Sequence, residues 1–126
     1  MVKAIYISGK KDVNNLSEAT VKKFRKAEQK LIDDGWFVVN PASELFQQDI
    51  AQRIENAKEK WNQQILGEFN EYTWTLQLNM RYIAPCNAVY MLSDWQESPE
   101  ATAEYYYAVA CKKEIIFEEP INNNYD

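Results

Sequence analysis

Histidine is absent from this 126-residue chain, which removes the side chain that titrates nearest neutral pH. A Ser-His or Cys-His nucleophile pair is therefore excluded, and so is a His-ligated metal centre. Acid–base chemistry must fall to Asp, Glu, Tyr, Lys or Cys side chains. The sequence also has only three glycines and no Gly-rich phosphate cradle. We expect no metal and no cofactor.

Cysteines, basic clusters and long apolar runs are scarce as well. Cys86 and Cys111 are the two cysteines, and their apolar surroundings predict reduced core thiols rather than a disulfide framework. No apolar run approaches the ~18 residues of a membrane span, and the N-terminus lacks a secretory signal. Basic residues form only short pairs in a chain of net charge −5, so we expect no duplex nucleic acid partner. These features predict a soluble, cytoplasmic protein without membrane contact.

The first forty residues carry the pattern of a strand, a helix and a second strand. Val2 to Ser8 is a β-branched and aromatic run, and Ser17 is a helix N-cap. Apolar residues recur at helical spacing until Gly35, and Trp36 to Val39 forms the next strand. Short links between these elements predict a βαβ unit with parallel strands.

The rest of the chain continues the alternation. A hydrophobic content of 46% is sufficient for one core, so we predict a single domain over residues 1–126. The predicted elements are a helix from Ser43 to Leu66 interrupted at Gly67, a helix from Tyr72 to Ile83 before Pro85, a strand from Asn87 to Leu92, a helix from Ser98 to Cys111 and a strand from Glu114 to Phe117. This order predicts an α/β fold with a parallel sheet of four to five strands, strand one central, and helices on both faces.

Parallel sheets bind ligands at the carboxyl ends of their strands. Three such ends, together with the start of the last helix, supply these candidate binding residues: Ser8, Gly9, Lys10, Asn40, Asp94, Trp95 and Ser98. The Lys10-Lys11 pair could hold a phosphate or form a solvated turn.

Glu104 lies in the second turn of the last helix among small residues. It could be a nucleophile, or a solvated helix residue that interacts with the dipole. Tyr6, two residues before the end of strand one, could belong to the core, an interface or a site.

Four stretches share a pattern with a known family: residues 5–10, residues 35–41, residues 86–92, and the run of Trp95, Ser98, Ala101 and Glu104. In order and position the chain resembles the nucleoside 2-deoxyribosyltransferase-like family. The resemblance implies a doubly wound, flavodoxin-like fold and cleavage of an N-glycosidic bond. It implies that Glu104 is the nucleophile and that Tyr6 contacts it.

The chain departs from the pattern of this family at three positions. Where the family carries aspartates, this chain has Asn79 and Ser98, and where the family has glycine it has Glu100. Asparagine cannot transfer a proton near neutral pH but can bond a sugar hydroxyl. Asp94 and Glu97 are the nearest carboxylates that could replace the missing acids.

Three functional hypotheses follow. The chain is a deoxyribosyltransferase or N-glycosidase acting on a nucleoside-like substrate, a nucleoside or nucleotide binder without chemistry, or an oligomeric interaction protein. Surplus aromatic residues predict a homo-oligomer with contacts along Ser43 to Leu66, and the tail from Asn122 to Tyr125 could reach a partner's cleft.

Overall fold

The computed structural model describes residues 2–11, 16–64 and 68–119. The elements in these residues are β1 (Ala4–Ser8), α1 (Glu18–Asp33), β2 (Phe37–Val39), α2 (Glu44–Gln64), α3 (Glu71–Ile83), β3 (Ala88–Met91), a 3-10 turn (Trp95–Glu97), α4 (Pro99–Ala110) and β4 (Glu114–Phe117). The predicted interruption at Gly67 and the predicted role of the 122–125 tail lie outside the described residues.

The sheet is wholly parallel, with the strand order β2-β1-β3-β4. Ile5 on β1 pairs with Val38 of β2 on one side and with Ala88 of β3 on the other. The predicted α/β class, the parallel pairing and the internal position of β1 are therefore confirmed. The order is that of a flavodoxin-like doubly wound sheet.

Alternate residues of β1 point into two separate cores. Ile5 and Ile7 pack with Phe24, Ala27 and Leu31 of α1 on one face. On the other face Tyr6 is buried with apolar residues from three helices, namely Phe46, Ile50, Ile54, Leu78, Ile83 and Ala108. Because side chains alternate along a strand, Tyr6 and Ser8 share the face that α2, α3 and α4 cover.

Local signals fix most of the helix ends. Ser17 and Ser98 cap α1 and α4, since their hydroxyls accept bonds from Thr20 N–H and Ala101 N–H. Gly35 follows α1 with φ +96°, a conformation that favours glycine. The 3-10 turn before α4 was not predicted.

Both cysteines are free thiols, but only one lies in the core. Cys86 is buried between α3 and β3, whereas Cys111 is exposed at the C-cap of α4. The expectation of two core thiols is therefore wrong for Cys111, because the helix ends there and turns its last residue to solvent.

The apolar stripe of α2 faces the chain's own core. Phe46, Ile50 and Ile54 are buried, and Trp61 packs half-buried against Phe69. Leu45 is the exposed large apolar residue of this helix. Self-packing thus accounts for most of the stripe that predicted an oligomer contact.

None of the described helices combines the length and the apolar character needed to cross a membrane.

Candidate functional site

A buried carboxylate marks the carboxyl end of β1. Glu104, in the second turn of α4, is only 2% exposed. Its Oε2 accepts a hydrogen bond from the Tyr6 hydroxyl at 2.9 Å, and its Oε1 accepts one from Ser8 Oγ at 2.6 Å. The two donors lie two residues apart on the strand, so both side chains point to the face that α4 covers. The predicted contact between Tyr6 and Glu104 is confirmed, and the bond from Ser8 was not foreseen.

Burial controls the electrostatics of this cluster. It raises the pKa of the Glu104 carboxyl, against the opposing effects of the Lys11 charge and of the hydrogen bonds from Ser8 and Tyr6. Burial, reinforced by the negative charge of Glu104, raises the pKa of Tyr6 well above its usual value. Tyr6 therefore stays protonated and keeps donating to the carboxylate.

A cavity of about 390 Å³ lies beside this cluster, within the size range of small-molecule sites. Its wall comes from the end of β1, from α3 and from the start of α4, and comprises Gly9, Lys11, Leu16, Gln47, Glu71, Tyr72, Thr75, Leu76, Asn79, Ser98 and Glu100. Glu104 is not part of the wall but interacts electrostatically with two residues that are, Lys11 and Glu100. At Gly9 a Cβ would lie 2.6 Å from Leu92 Cδ1, so only glycine fits there.

The start of α4 already holds an anion. Ser98 caps the helix and also donates to Glu100 Oε2 at 3.0 Å. The Tyr72 hydroxyl donates to the other oxygen, Glu100 Oε1. These contacts lower the pKa of Glu100, with the bond from Tyr72 as the largest cause, although burial opposes the shift. The helix N-terminus therefore faces a carboxylate rather than open space.

Within the described part of the wall, Asn79 is the one buried amide, at 6% exposed. Its side chain makes no hydrogen bond within the part of the chain that the structure describes. Buried amides are normally paired, so the Asn79 amide is available to a ligand in the cavity.

Lys10, Asp94 and Trp95, expected near the ligand, lie outside the cavity wall. Asp94 accepts a bond from Lys10 N–H at 3.0 Å and one from Lys23 Nζ at 2.5 Å, so it ties the β1 loop to the β3 loop. The Lys10 ammonium points to Glu97 at 3.4 Å. Trp95 packs against Tyr105, with ring centroids 4.7 Å apart.

Asn40 belongs to another cavity, of about 470 Å³, at the end of β2. Its Nδ2 donates to Glu28 Oε1 at 2.8 Å and its Oδ1 accepts from Ala42 N–H at 2.8 Å. The sequence grouped Asn40 with Ser8, whereas the structure gives each its own partners.

The sequence reasoning missed two contributors, Lys11 and Tyr72. In the sequence Lys11 stands out only as half of a basic pair, although its place three residues beyond Ser8 puts it in the same strand-end turn. Tyr72 lies in the helical middle of the chain, at the edge of the region that the family resemblance does not cover. No local signal there indicates that its hydroxyl reaches Glu100.

The described residues contain no group of three His, Cys, Asp or Glu side chains placed to hold a metal ion.

Comparison with known proteins gives one match. The family described as "Domain of unknown function (DUF4406)" matches residues 3–117. No curated protein and no solved structure matches the chain significantly.

Proposed function

The chain belongs to the family described as a domain of unknown function (DUF4406), and we propose that this member cleaves the N-glycosidic bond of a nucleoside-like substrate or transfers its deoxyribosyl group. The observation that carries the proposal is the Glu104 carboxylate, buried at a strand end with one donor on each oxygen. The resemblance to nucleoside 2-deoxyribosyltransferase-like proteins supports the same reading.

The chemistry assigned to Glu104 is a nucleophilic displacement in two steps. One carboxylate oxygen bonds to the anomeric carbon while the bond from that carbon to the base nitrogen breaks. Water or a second base then takes the sugar from the glycosyl ester and releases the carboxylate. A covalent intermediate of this kind splits one difficult displacement into two easier ones.

Tyr6 and Ser8 orient this nucleophile. A carboxylate oxygen has more than one acceptor site, so each Glu104 oxygen keeps a lone pair while it accepts one hydrogen bond. Fixing the carboxylate in this way lowers the entropic cost of the attack. The raised pKa of Glu104 also makes its carboxylate a stronger base than an exposed one.

The cavity beside the nucleophile suits an uncharged ligand. The free amide of Asn79 can bond a sugar hydroxyl, while Tyr72 and Leu76 provide aromatic and apolar wall for a base. Glu100 places a negative charge where a 5′-phosphate would meet the start of α4. A nucleoside therefore fits this wall better than its monophosphate.

One observation favours a second candidate, a nucleoside binder without chemistry. Glu104 is 2% exposed and lies outside the cavity wall, so a sugar must come closer to it than the free structure allows. A carboxylate used only to hold β1 against α4 would have the same contacts.

Trapping the intermediate separates the two candidates. We expect a deoxynucleoside analogue with fluorine at the sugar 2′ position to leave its glycosyl group on the protein, because fluorine slows departure of the ester. Intact-mass measurement should show one added sugar, and peptide mapping should place it on Glu104. Glu104→Gln should gain no mass. If the wild-type mass is unchanged while calorimetry detects nucleoside binding, the protein is a nucleoside binder without glycosidic-bond chemistry.

Homo-oligomer formation is a further part of this proposal. α4 and β4 expose Tyr106, Val109 and Phe117, and exposed aromatic patches are enriched at interfaces. We expect light scattering at micromolar concentration to give a multiple of 14.8 kDa, and Tyr106→Glu to return the protein to monomers. A wild-type mass near 14.8 kDa would contradict the assembly.

A further inference from the structure

Cleavage of the N-glycosidic bond requires an acid that protonates the leaving nucleobase. When the N-glycosidic bond breaks, its electron pair stays on a ring nitrogen, and protonation of the base makes it a far better leaving group. Asn79 and Ser98, which stand where the resemblance implies aspartates, both line the cavity, but neither side chain transfers a proton near neutral pH. The proton must come from another residue.

Among the described residues, the ionisable members of the wall are Lys11, Glu71, Tyr72 and Glu100. Glu100 is held ionised by its hydrogen bonds, which lower its pKa, so it has no proton to give. Tyr72 donates its proton to Glu100, and this bond raises the pKa of the phenol. Glu71 is exposed in the first turn of α3. Of the wall residues that the structure describes, Lys11 remains.

Lys11 has the environment of a proton donor. It is half-buried, three residues beyond Ser8, and its ammonium makes no hydrogen bond or ion pair with any residue in the described ranges. Burial lowers its pKa, and the charges of Glu104 and Glu100 oppose that shift. Its proton is thus held less tightly than that of an exposed lysine, although the charges of two carboxylates oppose its loss.

We propose that Lys11 is the general acid that protonates the leaving base, an inference that rests on the proposed function. In the first step Glu104 bonds to the anomeric carbon, the carbon–nitrogen bond breaks, and a proton passes from Lys11 Nζ to the base. In the second step the neutral amine takes a proton from the attacking water, whose oxygen bonds to the anomeric carbon as the ester opens. Lys11 and Glu104 both return to their starting states.

The charged and titratable groups that act on Lys11 come from α3 and α4. Glu100 and Glu104 interact with it electrostatically, and Tyr72 and Glu71 share its cavity. Activity should therefore rise as Glu104 ionises and fall as Lys11 deprotonates. Removing the amine should abolish the alkaline limb of this profile and leave the acidic limb.

The test compares two leaving groups. 2′-Deoxyguanosine needs a proton to leave, whereas 7-methyl-2′-deoxyguanosine already carries a positive charge on its base. For Lys11→Met we expect the single-turnover rate of base release from 2′-deoxyguanosine, which isolates the first step, to fall by about 10²–10⁴-fold, the usual contribution of a general acid. The same rate on the methylated substrate should change by less than about threefold. Lys11→Arg keeps the charge but cannot give up its proton, so it should be as impaired as Lys11→Met.

Lys22→Met, which alters an exposed lysine on α1, is the matched control and should leave both rates unchanged. Equal losses on both substrates in Lys11→Met, no loss on either, or restored activity in Lys11→Arg would each overturn the role of Lys11. If wild-type protein cleaves neither substrate, the proposed function itself fails. Thermal melts of all variants separate these outcomes from unfolding.

Discussion

The carboxyl ends of β1 and β2 lie side by side, but their polar groups are used differently. At the end of β2, the Asn40 amide donates from Nδ2 to Glu28 and accepts at Oδ1 from Ala42 N–H. At the end of β1, Tyr6 and Ser8 both donate to the single carboxylate of Glu104. Both strand ends lie beside a cavity, but the first arrangement joins the turn after β2 to α1, whereas the second places two donors on one buried carboxylate.

The two strand ends differ in their polar contacts because different elements pack against them. β2 is an edge strand, and Asn40 bonds to Ala42 N–H in the turn that follows it and to Glu28 of α1. β1 is internal, and α4 crosses its face after β3, which brings a carboxylate from 98 residues further along the chain against Tyr6. The Asn40 bonds join a turn to a neighbouring helix, whereas a buried carboxylate near a cavity is typical of a functional site.

The largest expected difference between the two strand ends is in turnover. Glu104→Gln should lower release of free base from a deoxynucleoside by at least ~10³-fold, because the amide is a poor nucleophile. Glu28→Gln, the matched change at the α1 residue that bonds Asn40 at the end of β2, should stay within about twofold of wild type. Chromatography of the released base measures both rates. Similar losses of turnover in the two variants would mean that the end of β1 is no more a catalytic site than the end of β2.

A pair of buried asparagines sharpens the comparison. Asn40→Ala breaks two hydrogen bonds and should cost about 1–3 kcal/mol of the free energy of unfolding, with little change in nucleoside affinity. Asn79→Ala breaks none within the described residues, so it should cost less stability but weaken nucleoside binding by about tenfold, since one bond to a sugar hydroxyl is lost. Denaturant titration and calorimetry measure the two quantities. An Asn79→Ala protein with wild-type affinity would place the sugar elsewhere.

Glu100 should determine the choice between nucleoside and monophosphate. Two like charges ~4 Å apart repel by about 1 kcal/mol in water, which corresponds to about fivefold in affinity. Glu100→Gly should therefore raise monophosphate affinity by at least that factor and leave nucleoside affinity little changed. Glu100→Gln is the control that removes the charge and keeps the side chain. Tighter binding of the monophosphate by wild-type protein would contradict the assignment.

The smallest expected effect is a pH dependence of stability. The folded state raises the pKa of Glu104, so ionisation of this carboxyl opposes folding. Its stabilising contribution is complete below the unfolded value of about 4.3 and is lost as pH rises through the folded pKa. Glu104→Gln should therefore melt at a higher temperature than wild type at neutral pH and approach it near pH 4. A difference in melting temperature between Glu104→Gln and wild type that is constant with pH would mean that Glu104 does not titrate as assigned.

The order of strands and helices could be predicted from the sequence because the signals that set it are local. Strand β4 was predicted with the bounds observed, and the caps at Ser17, Gly35 and Ser98 acted where the sequence placed them. Each of these signals depends on a few neighbouring residues. The contact between Tyr6 and Glu104 was predicted only through the family resemblance, because nothing local relates positions 98 residues apart.

Sequence by itself determined the parallel α/β fold, the absence of histidine chemistry and the strand ends at which polar groups collect. Tertiary structure alone decided which of those groups meet. It joined Ser8 to Glu104, gave Asn40 to a separate turn and placed Lys11 rather than Lys10 in the cavity wall. The physical reason is that periodicity and capping depend on near neighbours, whereas the partner of a buried polar side chain depends on how helices cross the sheet.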